Sequence, residues 1–328
     1  MKSTLSLALT VSLAAILTFL TPATQAAKAK TAKTAKAAPV VRPGIAKDPY
    51  VGAILIDAIS GRVLFEDHAD AQAYPASVLK LMDVLLLVER IEQRQLSLQD
   101  PVVVSPKASK TGGSQVWLAD KEVFTVDELL YALMIQSAND AAVALAEKAA
   151  GSTEAFVALM NQRAQALGMT HTLFQSVHGL PPGAGQQPDV STPRDFSILC
   201  RELLRHPDVL RYTSTRLRPF RPNAGEKTVQ MRNHNHLLND VAGCDGFKTG
   251  YFVKAGYSIA ATATRPGQRV IAIVMGSGDR KVRDAKAAEL LAKGFAMTQP
   301  MQPVRPAPMV PVQVPLAPLI QAPMPVKK

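Results

Sequence analysis

Cysteine is nearly absent from this 328-residue chain, which has only Cys200 and Cys244. Two thiols so far apart exclude a disulfide scaffold and a cysteine metal knuckle. Cys200 falls on the apolar side of a helical pattern and is expected as a buried small hydrophobe. A Cys200–Cys244 bridge, which export would permit, is the lesser reading. Tryptophan occurs once, as Trp117, and is expected in packing rather than as a sugar platform. Acid is missing from both ends: residues 1–47 carry seven Lys or Arg, residues 299–328 carry three, and neither stretch has an Asp or Glu. The formal charge of +11 therefore belongs to the tails, leaving 27 basic and 26 acidic side chains between them. A nucleic-acid binder would carry its charge on the folded domain, so that function is set aside. Basic tails suit at most a weak association with anionic envelope polymers or lipid headgroups. Past residue 20 no stretch approaches 18 uncharged apolar residues, which excludes an internal membrane span.

What is present is ordered along the chain. Lys2, the uncharged run Leu5–Leu20 and small residues from Thr24 to Ala26 make residues 1–26 a secretory signal, with an uncleaved anchor as the competing reading. The protein is accordingly expected in the periplasm or cell envelope. Residues 27–47 form a basic Ala/Lys/Pro linker and residues 299–328 a Pro-rich extended tail. Between them, 48–298 is expected as one catalytic domain. Val51–Asp57 and Arg62–Glu66 predict a hairpin, and Ser77–Arg94 a helix almost without a polar face. Helices follow at Val126–Ile135, Ala141–Ala150, Glu154–Leu167 and Thr192–Arg205, with a long Gly/Pro-rich loop over His178–Val190. Strands return at Asp245–Thr249, Gly256–Thr264 and Arg269–Met275, and Val282–Phe295 closes as an amphipathic helix. The fold class is α/β in the broad sense (α+β): a five-stranded antiparallel sheet from both chain ends, with an inserted helical subdomain.

Three short motifs stand in order: Ser77-Val78-Leu79-Lys80, Ser137-Ala138-Asn139 and Lys248-Thr249-Gly250. An earlier Lys110-Thr111-Gly112 lies in a polar loop before the Ser-x-Asn and reads as a decoy. Each motif alone is weak, but the ordered set is the signature of serine acyltransferases that react with β-lactams. The chemistry explains the spacing. A serine hydroxyl needs an adjacent base, and Ser-x-x-Lys puts Ser77 and Lys80 one helical turn apart. Lys80 serves as base only when partly deprotonated, through burial and a second cation, for which Lys248 is the candidate. Ser137 would relay the proton to the leaving amine, and Asn139 suits a substrate peptide group. Lys248, Thr249 and Gly250 suit a free carboxylate lying along a strand, and Tyr251 would donate an oxyanion N–H. A zinc site at His234 and His236, placed on one side of a strand, lacks a third ligand. A triad of Ser77 with His178 would leave Lys80 idle.

From Pro49 to Phe295 the chain resembles the low-molecular-mass penicillin-binding proteins, the D-alanyl-D-alanine carboxypeptidases of peptidase family S11. The resemblance rests on Pro75-Ala76-Ser77, Ser137 to Ala141, Gly168-Met169, His178 to Leu180, Asn233 to Leu237 and Asp245 to Tyr251. It implies a β-lactamase/transpeptidase-like fold and an acyl-enzyme on Ser77, with Lys80 as base, Ser137 as proton relay and Lys248 binding the carboxylate. Substrates would be peptidoglycan stem peptides, with β-lactams as covalent inhibitors and no metal or organic cofactor. Leu79, Asp83 and Phe252 depart from residues frequent in the family and bear on substrate preference. Carboxypeptidase activity is the first expectation and D,D-endopeptidase activity the second. A true β-lactamase would need a positioned carboxylate, for which the 178–190 loop offers only Asp189. A catalytically silent wall-binding module is the reading from another class.

Overall fold

The computed structural model describes residues 49–222 and 225–298; the expected signal, linker and tail lie outside them. The strands are β1 Gly52–Asp57, β2 Val63–Asp67, β3 Pro101–Val103, β4 Val123–Thr125, β5 Leu217–Phe220, β6 Val229–Arg232, β7 Cys244–Phe252, β8 Gly256–Arg265 and β9 Gln268–Ser277. The helices are α1 Lys80–Glu92, α2 Pro106–Ser109, α3 Val126–Tyr131, α4 Asn139–Ala150, α5 Thr153–Leu167, α6 Pro193–Leu203, α7 Val209–Thr213, α8 Leu237–Asp240 and α9 Arg280–Met297.

The main sheet has the order β2-β1-β9-β8-β7 and its pairs are antiparallel. Its two faces follow from strand alternation. In β1, Ala53 and Leu55 join the core beneath α9, with Leu290, Leu291 and Phe295. Ile54 and Ile56 join the larger core on the helical side, with Leu85, Phe196 and Leu203. β9 repeats the division: Val270, Ala272 and Val274 face α9, while Ile271, Ile273 and Met275 face the helices. A sheet covered on both faces needs apolar residues at every position, which is why these strands read as continuous runs.

The helical insertion is punctuated by side-chain caps. Thr125 and Glu128 form a reciprocal capping box at α3, and Thr192 caps α6 with Pro193 behind it, each meeting helix N–H groups that lack intrahelical partners. The helix expected over Val126–Ile135 is regular only to Tyr131; residues 132–136 widen into a π-turn. That widening ends the helix at Ser137, whose N–H donates to Ala132 O. Two small ribbons, β3–β4 and β5–β6, carry no strong alternating pattern and are absent from the sequence reading. The thiols of Cys200 and Cys244 are free and buried, in the helical-side and α9-side cores respectively.

The loop before α3 is tied down from α4. The buried Asp140 carboxylate accepts N–H groups of Val116 (3.2 Å), Leu118 (3.0 Å) and Ala141 (2.9 Å). Asp140→Ala leaves the two loop donors without acceptors in a dry site. It should lower the unfolding free energy by about 3 kcal/mol, read as a reduced urea midpoint at unchanged slope.

Candidate active site

Ser77 sits in a single tight turn, residues 76–79, that leads directly into α1, and Lys80 opens that helix. The turn is strained: Ala76 adopts φ 47°, a left-handed conformation unfavourable for a side-chain-bearing residue. Two glycines hold it from opposite sides. A Cβ on Gly179 would lie 2.3 Å from Ala76 O, and one on Gly250 would lie 2.5 Å from Pro75 O and 3.0 Å from Ser77 N. Only glycine lets the 178–190 loop and strand β7 approach the nucleophile so closely. β7 is an edge strand, so its outer backbone edge is open to an extended ligand.

Lys80 is fully buried. Its Nζ lies 2.9 Å from Ser77 Oγ, 2.7 Å from Asn139 Oδ1 and 2.9 Å from His178 O. Asn139 Nδ2 donates to Gly112 O at 2.8 Å, which fixes the amide so that its oxygen faces the lysine. Both amide and carbonyl oxygens can only accept. A neutral Lys80 amine has two N–H bonds, and these two oxygens consume both. Its lone pair is then left for the Ser77 hydroxyl, the arrangement a general base requires. Burial lowers the Lys80 pKa to about 7, against the opposing fields of Asp83, Asp189 and Asp140.

Lys248 is also buried, with Nζ donating to Thr249 O at 3.0 Å. Its pKa is held well below the usual lysine range by burial first, then by the charges of Lys80 and Arg283. Of the two expected causes of a lowered Lys80 pKa, burial operates, and Lys248 is not among the charges that shift it.

A cleft of about 290 Å³ gathers Ser77, Ser137, Thr249, Gly250 and Tyr251. Ser137 lines this cleft and is held at φ 61° where the π-turn meets α4, a helix irregularity of the kind that collects at functional sites. Asn139, expected to meet the substrate, uses both ends of its amide on Lys80 and Gly112 and is buried behind the cleft. Its acceptor, Gly112 O, belongs to the Lys-Thr-Gly read as a decoy; that triplet buttresses the site.

Sequence reasoning missed four cleft residues: Ser114, Tyr257, Arg280 and Arg283. Arg283 is 2% exposed, paired with Asp284 at 2.6 Å. Its only sequence signal is basic density at the start of the closing helix. His234 and His236 line the cleft from the bend between β6 and α8, not from a strand. No group of three potential metal ligands among the described residues includes them.

His178 contributes its carbonyl to Lys80, while its Nδ1 accepts from Leu180 N–H at 3.1 Å. Burial lowers its pKa to about 4, helped by Lys80 and Lys107. It is neutral and turned to its own loop, not to Ser77. Asp189 accepts from the N–H groups of Gln175 and Ser176 and from the Ser176 hydroxyl, so it fastens the loop and offers no carboxylate for water. Asp83 is buried, with both oxygens unpartnered among the described residues; burial raises its pKa well above normal, against the opposing pull of Lys80.

Residues 45–279 match the family model described as D-alanyl-D-alanine carboxypeptidase, peptidase S11. The chain belongs to this family. Among similar relatives is a D-alanyl-D-alanine carboxypeptidase of Bacillus subtilis, 35% identical over 244 residues, covering 74% of this chain and 61% of the relative. Another, from a Streptomyces species, is 30% identical over 276 residues, covering 79% of this chain and 90% of the relative. An ampicillin-bound penicillin-binding protein of Listeria monocytogenes superposes with TM-score 0.67 at 31% identity, covering 75% of this chain and 97% of that one. The matches to the first curated relatives span 61–65% of their length.

Two outcomes follow for this S11 site. With the free Lys80 amine as the acceptor this geometry allows for the Ser77 proton, the rate of acylation by penicillin should rise tenfold per pH unit below about 7 and level off above it. Stopped-flow or quenched-flow labelling across pH 5–9 measures this. Gly250→Ala should push β7 off the nucleophile turn and lower the acylation rate at least ~100-fold, with near-normal circular dichroism.

Proposed function

We propose that this protein is an exported serine-type D-Ala-D-Ala carboxypeptidase that removes the terminal D-alanine from peptidoglycan stem pentapeptides. The observation that carries the reading is the Lys80 amine held by two acceptor oxygens with its remaining valence toward Ser77. The family supports it, as do the signal-like first 26 residues for export and the penicillin-binding relatives for reaction with β-lactams.

In the proposed reaction the substrate lies antiparallel along the open edge of β7, with its carboxylate toward Lys248 and Thr249 and Arg283 in the same wall. Lys80 takes the Ser77 proton as Oγ attacks the penultimate D-alanine carbonyl. The tetrahedral oxyanion is met by the N–H groups of Ser77 and Tyr251, where preorganised donors act strongly away from water. The proton returns to the leaving amine of D-alanine by way of Ser137, and water then hydrolyses the acyl-serine ester. Because Asp189 is committed to its own loop, release of a β-lactam acyl group is slow.

The direct test is mass spectrometry of the protein with a D-Ala-D-Ala pentapeptide and, in parallel, a cross-linked muropeptide dimer. Loss of one alanine from the pentapeptide is expected. Cleavage of the dimer alone would assign an endopeptidase, and turnover of neither would remove the enzyme reading. Ser77→Ala should abolish covalent penicillin labelling. Lys248→Ala should lower acylation by about 10- to 100-fold, the range for losing one charge-assisted hydrogen bond; unchanged kinetics would remove Lys248 from carboxylate recognition.

A further inference from the structure

The chain's only tryptophan, expected in packing, is instead 63% exposed. Trp117 lines a groove of about 510 Å³ together with Glu122, Arg221, Thr228 and Gln230. Three side-chain-bearing residues around this groove have left-handed backbone: Trp117 (φ 55°), Lys121 (φ 66°) and Arg221 (φ 51°). Such conformations persist only where the surroundings over-determine them, and they collect at ligand clamps. Here the clamp is visible. Asp140 holds the N–H groups on either side of Trp117, and Arg221 donates to Val116 O at 2.8 Å and Trp117 O at 3.0 Å. The indole is thus presented to solvent from a backbone fixed on both sides.

Arg221 adds a second observation. Its side chain is nine-tenths buried and paired with Glu122 at 2.5 Å, yet its Nε–H has no partner among the described residues. This Nε is itself enclosed, and the guanidinium packs over the rings of Phe124 and Phe220, so Arg221 braces the groove wall. The Arg221 charge is answered by Glu122, and Lys227 adds an exposed ammonium to the groove. The groove offers the flat indole face, the Lys227 ammonium, the Thr228 hydroxyl and the Gln230 amide. A pyranose ring has the matching chemistry, with a C–H face for the indole and equatorial hydroxyl and acetamido groups for the rim.

The groove also adjoins the active site along the chain. Ser114, in the catalytic cleft, and Trp117 lie on one short loop, anchored through Ser114 O to Asn139 N–H and through its N–H groups to Asp140. We propose that the Trp117 groove binds the glycan strand of peptidoglycan, with one hexosamine ring stacked on the indole, while a stem peptide occupies the cleft. The identity of the glycan rests on the proposed function; the sugar chemistry rests on the groove.

Because Trp117 is the sole tryptophan, emission excited selectively at the red edge of indole absorption, where tyrosine does not absorb, reports on this groove. Titration with peptide-free glycan strands from amidase-treated sacculi, and with N-acetylglucosamine tetramer, should give a saturable change in intensity or wavelength. Gln230→Ala, at an exposed position, should raise the Kd about fivefold, the loss of one hydrogen bond. In Trp117→Ala the ratio of kcat/KM for glycan-linked over free pentapeptide should fall about tenfold. No saturable change at millimolar glycan, or binding unaltered in Gln230→Ala, would overturn the groove as a sugar site. Glycan binding without pentapeptide cleavage would uphold the groove and overturn the carboxypeptidase reading.

Discussion

Everything in the site turns on keeping one amine dry. Lys80 is enclosed on α1 with acceptor oxygens on two sides and the Ser77 hydroxyl on the third, and desolvation favours its neutral form. Water in this space would restore the ammonium and the serine would lose its base. Three carboxyls nearby pull the other way, and the structure limits their effect. Burial raises the Asp83 pKa well above normal, while Asp140 and Asp189 spend their oxygens on backbone N–H groups. The cost of burying these polar groups is offset by the large apolar core around α1, where Leu81, Val84 and Leu85 are fully enclosed.

The fold supplies this enclosure from segments far apart in sequence. The nucleophile turn comes from the start of the domain, Asn139 from the helical insertion, the His178 carbonyl from a long loop and β7 from the closing sheet. The loop and β7 meet the turn at glycines and at the His178 carbonyl, so those distances are set by main chain, while Asn139 reaches Lys80 through an amide fixed by Gly112 O. Strain is placed at Ala76 and Ser137, the residues on which two reactive hydroxyls depend, and both are held by the surrounding packing.

The larger features were legible in the sequence because they depend on local pattern. Continuous apolar runs marked the sheet, caps such as Thr192 marked helix starts, and three ordered triplets marked the residues that the fold brings into or against one cleft. What escaped is what depends on tertiary context. The π-turn before Ser137 looks like ordinary helix in sequence. Gly112 looked like part of a decoy because its use as an acceptor for Asn139 is set by folding. Arg283 carries no motif. Trp117 is expected in packing because a lone aromatic usually serves there, and nothing local announces that Asp140 and Arg221 fix its backbone on both sides. The two histidines, read as alternating on a strand, sit in a bend because β6 ends at Arg232.

Physical identity between Lys80 and the base can be tested without turnover. The ε-carbon signal of Lys80 in protein with 13C-labelled lysine, assigned by comparison with Lys80→Arg, should titrate with a midpoint near 7. A midpoint near the ordinary lysine value of about 10.4 would mean that Lys80 is a permanent ammonium, and would contradict the account of how Ser77 is activated.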